Sequence, residues 1–464
     1  MEGAVGWNLT DVLAATGGRT SNPDAPRVLT SISTDSRSLS PGALFVALRG
    51  RNHDGHAFIP EAVRRGATAA MVESGAGGGL DAGAVTLIEV PDTLRALGDL
   101  AAHHRHRHRL LVAAITGSNG KTTTKEMATS IMTKALGAEA VLSTRGTENN
   151  LIGVPLTLLR ASGRERVAIL ELGMNAPGEI RRLTEIADPD VGVVTCVGPA
   201  HIEGLGSIEG VARAKGELYE ELRSDATAVV NNEDERVREI ARRFTGRTIR
   251  FGRGGDIGAE DVALVGTEGI AFTLVADGER RPVRVPLPGV HNVMNALAAI
   301  AITRALGASL DAVVAGLAAL PPLPMRMQVV ALPGGITVIN DAYNANPASM
   351  RSALAMLKAT GTGARIAVLG EMRELGPESV ALHRQVGRTA AEQGVALLVI
   401  MGPEAAAVRA GALEAGMAPE AALIVTSHED AAREVRQRVR PGDAVLIKGS
   451  RGARMEEVLA RLQA

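Results

Sequence analysis

Residues 110–136 can fold in few ways. An apolar run at 110–115 leads into ITGSNGKTTTKEM at 115–127, and a helix-like run occupies 121–136. A buried strand, a glycine turn and a helix in that order gather the turn's N–H groups and the helix N-terminus around one point. That point attracts an anion, and a phosphate suits it best. Gly117 and Gly120 let the backbone bend and come close to a ligand, and Ser118, Asn119 and Thr123 complete the turn. Lys121 is placed to reach the outer phosphates and the Thr122 hydroxyl to hold Mg²⁺. The general phosphate-loop pattern asks for a glycine six residues before the lysine, where this chain has Ile115, so the motif is a shorter G-x-x-G-K-T form. A helix-capping turn that happens to carry a lysine is the plainer alternative.

A chain of 464 residues has room for about three domains. Fifty Lys and Arg face fifty-one Asp and Glu, so no global field draws the chain to nucleic acid or to an anionic membrane. Aromatic residues make up 2%, too few for the stacking platforms of single-strand binding. The lone cysteine, Cys196, excludes an internal disulfide and suits the reducing cytoplasm; within the apolar run 191–197 it reads as a small core residue. The N-terminus has no basic region followed by an apolar core, and no apolar run reaches membrane-spanning length. Nothing demands more than a monomer.

Residues 1–90 read as a small mixed α/β unit, with Asp35, Ser36 and Arg37 at the end of one extended run. As a plain surface pair, Asp35 and Arg37 would contribute little. A glycine-rich loop at 75–83 follows. The run HHRHRHR at 103–109 invites a metal, but no carboxylate lies within it and its arginines repel cations, so a solvated helix end is the better reading. In the second unit, 91–322, strand-like runs at 110–115, 167–171, 191–197, 226–231 and 247–251 alternate with helical ones. That rhythm implies a parallel sheet with crossover helices, in which ligands bind at the carboxyl ends of the strands. Glu171 ends one strand, His201 follows the next, and Asn231 and Asn232 end another. Thr147, Asn149 and Asn150 lie between them, and residues 257–287 alternate like a β excursion.

The stretch PPLP at 321–324 reads as a stiff hinge, and 323–464 repeats the α/β rhythm as a Rossmann-like unit without a dinucleotide fingerprint. Glu171 is placed to hold Mg²⁺ beside Thr122. For His201, a second ion and a plain solvated histidine weigh equally, and Lys215 is on this evidence an ordinary surface lysine. A guanine-reading segment is absent, so ATP is the expected nucleotide. Three units with polar strand ends suit a ligase, in which ATP activates a carboxylate that a second substrate attacks.

These residues resemble a known family. TGSNGKTTTKE, NNLIGVPLTLL, ELGMNAPGEI, CVGPAHIEGLGSIEGVARAKGEL, HNVMNALAA, INDAYNANPASM, VLGEMRELG and KGSRG are similar to motifs of the Mur ligases, cytoplasmic three-domain ATP-dependent enzymes of peptidoglycan synthesis. STDSR and FVALRG with DGHAF resemble the N-terminal domain that holds the uridine nucleotide in the two late ligases. DAYNANPASM stands where the ligase for the third amino acid carries a DYAHTP-like stretch, and no DNPR-like stretch follows.

The resemblance implies a uridine-nucleotide-binding domain, a central P-loop ATPase domain and a Rossmann-like C-terminal domain. It implies a reaction joining D-alanyl-D-alanine to UDP-N-acetylmuramoyl-tripeptide through an acyl phosphate. It places the ATP phosphates on Lys121 and the 117–123 backbone. Thr122 and Glu171 would hold one Mg²⁺, and His201 with a carbamylated Lys215 would support a second. Asn292 and Asn295 would lie near the adenine. Arg326, Asp341, Tyr343, Asn344 and Asn346 would form the C-terminal side of the nucleotide and dipeptide site. Thr147, Asn149 and Asn150 would contact the muramoyl-tripeptide, and Ser36 and Arg37 its uridine end. Lys121, His201, Lys215 and Arg326 would be the catalytic set. The family often has Gly-Arg where this chain has Met325-Arg326, which puts the local backbone there in question. The sister ligase for the third amino acid and a nucleotide-regulated binding protein remain as alternatives.

Overall fold

The computed structural model describes residues 6–20, 22, 28–50, 52–76, 85–200 and 202–464. His201 and most of the glycine-rich 75–83 loop lie outside these residues.

The N-terminal part is built on a sheet with spatial order Arg19–Thr20, Thr86–Val90, Ala69–Glu73, Leu44–Val46 and Ile32–Ser33, parallel except at the Arg19–Thr20 edge. The three inner strands are short apolar runs, nearly all buried, as a sheet covered on both faces requires.

Helix α1 (Thr93–Arg107) starts at Asp92, whose carboxylate accepts from Arg95 N, and carries the histidine-rich run into the central unit. Composition points to a solvated helix end, and the structure corrects that for two of its residues. His104 and Arg105 are buried. The His104 ring lies 4.2 Å from the Trp7 ring, and its Nε2 donates to Ala161 O at 2.8 Å. Arg105 donates to Ala187 O at 3.1 Å and pairs with Asp190 at 3.3 Å. Partners distant in the chain, invisible in a run of like charges, turn this helix end into a wedge.

The central sheet has strands β1 (Leu111–Thr116), β2 (Val141–Ser143), β3 (Val167–Glu171), β4 (Val191–Val194), β5 (Thr227–Asn231), β6 (Arg247–Phe251), β7 (Ile257–Val265), β8 (Gly269–Ala276) and β9 (Glu279–Val285), in spatial order β9-β8-β7-β6-β5-β4-β1-β3-β2. The pairs from β2 to β7 are parallel, and β7, β8 and β9 form an antiparallel meander. One apolar cluster fills each face. β1, between β3 and β4, ends at the glycine turn, which opens α2 (Lys121–Leu136). Glu171 and Asn231 therefore end strands on the same edge of the sheet, as the strand–helix alternation requires.

Helix α3 (Ile208–Glu221) carries Lys215 and, one turn on, Tyr219. The fully buried Tyr219 hydroxyl enters the sheet, accepting from Val194 N at 3.1 Å and donating to Val229 O at 2.6 Å. Two such bonds, about 1 kcal/mol each, fix the rotation of α3 and with it the direction of Lys215. Helix α4 (Asn292–Ala305) crosses the opposite face.

The C-terminal sheet has β10 (Gln328–Leu332), β11 (Ile336–Asp341), β12 (Arg365–Leu369), β13 (Leu397–Ile400), β14 (Ala422–Ile424) and β15 (Ala444–Lys448), in order β10-β11-β15-β12-β13-β14, parallel apart from β10. One of the central clusters continues into it. Among the described residues no helix is long and apolar enough to cross a membrane.

Burial holds the His104 imidazole down to about 4, from an ordinary value of 6.5. Between those values the unfolded chain binds the extra proton, so stability is full above the upper value and falls as pH drops toward the lower. The urea midpoint is expected to be lower at about pH 5 than at about pH 7.5, with a smaller pH dependence in His104→Gln; equal dependence in both would show that His104 is not responsible.

Candidate active site

One cavity of about 710 Å³ lies where the carboxyl edge of the central sheet meets the C-terminal sheet. Its floor is the glycine turn. Gly117 and Gly120 have φ of 146° and 80°, a region costly for other residues. A Cβ on Gly117 would fall 1.9 Å from Thr195 Oγ1, and one on Gly120 would fall 2.1 Å from Asn295 Oδ1. The turn is thus clamped from β4 on one side and from α4 on the other. Thr195 Oγ1 donates to Asn119 O at 2.5 Å, and Asn231 Nδ2 holds Thr195 O at 2.7 Å. Ser118 Oγ donates to Gly198 O at 3.0 Å. Asn295 donates to Asn292 at 2.8 Å, and Asn292 to Pro288 O at 2.8 Å.

Lys121 Nζ folds back onto Gly117 O at 2.8 Å. Loss of solvent pushes its ammonium below the ordinary lysine range; Glu171 opposes that shift and Arg326 adds to it. The Thr122 hydroxyl donates to Glu171 Oε2 at 2.7 Å, and Asn149 Nδ2 donates to Glu171 Oε1 at 2.8 Å. Glu171 N donates to Thr144 Oγ1 at 3.0 Å. The buried carboxylate therefore ties the glycine turn to the 144–150 segment, where Thr147 and Asn150 also line the cavity. Asn150 Oδ1 is already engaged, accepting from Gly153 N at 2.9 Å to start the helix Gly153–Leu158.

The C-terminal residues close the other wall. Arg326 Nη2 donates to Thr122 Oγ1 at 2.7 Å, and its guanidinium lies 4.2 Å from the Tyr343 ring centre. The Tyr343 hydroxyl bonds Thr147, and Asn346 Nδ2 donates to Asn119 Oδ1 at 2.6 Å. Asn346 also caps the helix Pro347–Lys358 through a reciprocal pair with Ser349. Asp341 pairs with the buried Lys448, which also donates to Asn344 O at 2.8 Å.

Met325 does not displace Arg326. Met325 and Met327 take left-handed φ of 57° and 49°. Each costs about 1–2 kcal/mol for a residue with a Cβ. Three bonds offset this at about 1 kcal/mol apiece: Met325 N to Gln328 Oε1 at 3.1 Å, Met327 N to Asp341 Oδ1 at 3.1 Å, and Tyr343 N to Met325 O at 3.2 Å.

Lys215 is buried on α3 and makes no described hydrogen bond or ion pair. Burial, and then the charge of Lys121, push it well below the ordinary lysine range. A surface lysine, the plain reading of its sequence, is excluded. Cys196 also differs from the core residue expected: β4 ends at Val194, and Cys196 lies beyond it on the cavity wall. Ser36 and Arg37 are not among the residues lining this cavity. Arg37 instead forms a two-pronged pair with Asp35 at 2.9 and 2.8 Å, holding that carboxyl down to about 2, while Ser36 is buried. Sequence reasoning missed Thr195 and Lys448; in each case the available signal was a polar residue at or just past the end of a buried strand.

Three family profiles match the chain: "Mur ligase family, catalytic domain" over 28–105, "Mur ligase middle domain" over 115–303 and "Mur ligase, glutamate ligase domain" over 325–451. The UDP-N-acetylmuramoyl-tripeptide–D-alanyl-D-alanine ligase of Escherichia coli is 38% identical over 98% of this chain and 97% of its own. The crystal structure of MurF from Acinetobacter baumannii superposes with a TM-score of 0.90 at 33% identity, covering 99% of both chains. The MurF ligase of Thermotoga maritima in complex with ADP gives 0.82 at 29% identity, over 93% of this chain and 97% of that one.

Lys121→Ala is expected to lower nucleotide turnover by on the order of 10³-fold or more, if the lysine over the glycine turn meets the phosphates as its sequence motif implies. Turnover close to wild type in a steady-state phosphate assay would remove Lys121 from the site.

Proposed function

The chain belongs to the Mur ligase family, and from that premise we propose that it joins D-alanyl-D-alanine to the terminal carboxylate of UDP-N-acetylmuramoyl-tripeptide with conversion of ATP to ADP and phosphate. It is an ATP-dependent amide-forming ligase of peptidoglycan synthesis. The observation that carries the reading of the site is one cavity whose floor is a phosphate turn and whose walls come from the 144–150 segment and the C-terminal sheet. Three reactants need three adjoining surfaces, and a nucleotide-regulated binding protein has no use for the third. Division of the chain at 1–90, 91–322 and 323–464 follows from the same reading, since each of the three larger sheets is complete within one span.

Lys121 and the N–H groups of the turn would hold the ATP phosphates, with Asn292 and Asn295 behind the turn on the nucleotide side. Thr147, Asn149 and Asn150 would orient the muramoyl-tripeptide, and Ser36 and Arg37 would meet its uridine end. Arg326 and Asp341 would face the nucleotide; Tyr343, Asn344 and Asn346 would face the dipeptide. The tripeptide carboxylate oxygen attacks the γ-phosphorus as the bond to ADP breaks, giving an acyl phosphate. The dipeptide amine then attacks the acyl carbon, loses a proton, and expels phosphate. Lys121 and Arg326 would neutralise the charge spread over the transferring group.

The donor set fits Mg²⁺. Thr122 and Glu171 offer hard oxygen atoms 2.7 Å apart, and a guanidinium nitrogen already sits on the same hydroxyl, a stand-in positive charge. Thr122 and Glu171 would hold the ion, which would supply positive charge beside the phosphates. Lys215 supports a second ion poorly as an ammonium, but burial favours the neutral amine, whose nitrogen would add to the CO₂ carbon and release one proton to solvent. The resulting carbamate would offer oxygen donors facing Lys121. His201 belongs to the same reading.

Incubation with ATP, Mg²⁺, UDP-tripeptide and D-alanyl-D-alanine is expected to release phosphate only when the dipeptide is present, with a product heavier by one dipeptide less water. Release without the dipeptide overturns the reading, and turnover of UDP-dipeptide with a third-residue amino acid points to the sister ligase. Lys215→Ala is expected to lose activity that added acetate or formate partly restores; the absence of any rescue removes the carbamate.

A further inference from the structure

Lys125 lies one turn beyond Lys121 on α2, and the phosphate site does not use it. Its side chain is fully buried. Nζ donates to Thr144 O at 2.8 Å and to Gly146 O at 3.1 Å, and lies 2.7 Å from Glu126 Oε1. Burying an ammonium is costly even when it is paired, and an apolar side chain would fill this helix position without that cost. The charge instead fixes the start of the 144–150 segment. That segment has no strand or helix of its own, and its 145–148 backbone closes a turn on itself through Glu148 N to Arg145 O at 3.1 Å. Beyond the Lys125 bonds come Thr147, which meets Tyr343 of the opposite wall, and Asn149, which meets Glu171. α2 also begins at the phosphate turn, so one rigid helix touches the nucleotide side through Lys121 and the acceptor side through Lys125.

We propose that Lys125 is a positioning residue for the acceptor: its ammonium sets the height of the 144–150 segment above the phosphate turn and thereby aligns the tripeptide carboxylate with the nucleotide. This rests on the ligase reading given above. Lys125 touches neither reactant; it acts through Thr147 and Asn149. Removing it leaves the phosphate turn clamped by Thr195 and Asn295, so its loss falls on one substrate.

The test uses the whole chain, and the wild type is assayed first for the dipeptide-extended product. Failure of the ligase reading would appear in the wild type, and failure of this proposal only in the variants. Lys125→Met is expected to raise KM for the UDP-tripeptide about tenfold or more, the size of losing hydrogen bonds from a charged donor, and to change KM for ATP and the dipeptide by less than about twofold. Combined with Thr147→Ala, the loss is expected to fall short of the product of the single losses, because both act through one segment. Lys125→Gln, which keeps a donor, is expected to lie between, and it carries the same measurements if Lys125→Met does not fold. Equal rises in all three KM values, additive losses with Thr147→Ala, or a lower melting temperature with unchanged KM values would each reduce Lys125 to a structural lysine.

Discussion

The hydrogen bond between Thr122 and Glu171 is the contact on which the site depends. It joins the first turn of α2 to the end of the neighbouring parallel strand. The second carboxylate oxygen takes Asn149, and the backbone of the same residue takes Thr144. This buried acid so helps to fix the distance between the glycine turn and the 144–150 segment. Arg326 reaches the same hydroxyl from another part of the chain. One side chain at a strand end is thereby the common reference for three walls.

Much of this was legible because parallel sheets put function at a predictable edge. β1 with its glycine turn, Glu171 and Asn231 could be assigned to one rim from strand–helix alternation alone. That residues 257–287 form a β excursion was visible in their period-two alternation; their antiparallel pairing as β7, β8 and β9 was not. What periodicity cannot show is which distant surfaces meet. The histidine-rich end of α1 looked solvated because its own neighbours are charged; its partners, Trp7, Ala161 and Asp190, lie far along the chain. Lys215 looked like a surface residue because nothing local reveals that α3 is pinned to the sheet by Tyr219.

Departures from local rules also misled in a graded way. Cys196 follows an apolar strand and was read as its continuation, yet the strand stops two residues earlier, and the chain turns along the cavity. Met325 stands where a glycine was expected, and its backbone takes a left-handed form that Gln328 and the Tyr343 N–H hold in place. Lys125 gave no signal apart from its helix position, since its meaning depends on two carbonyl groups from a different segment.

The turn around Arg326 has a mechanical consequence. Its torsions are held by Gln328, Asp341 and the Tyr343 backbone, all members of the C-terminal sheet or its loops, and the guanidinium rests against the Tyr343 ring. The arginine is therefore rigidly mounted on that body and travels as part of it. Any displacement about 321–324 moves the arginine, Tyr343 and Asn346 together, by one lever arm. The positive charge that Arg326 brings to the glycine turn would then be all-or-none under such a displacement: present in full with the bodies docked as here, and withdrawn in a single stroke were they to part.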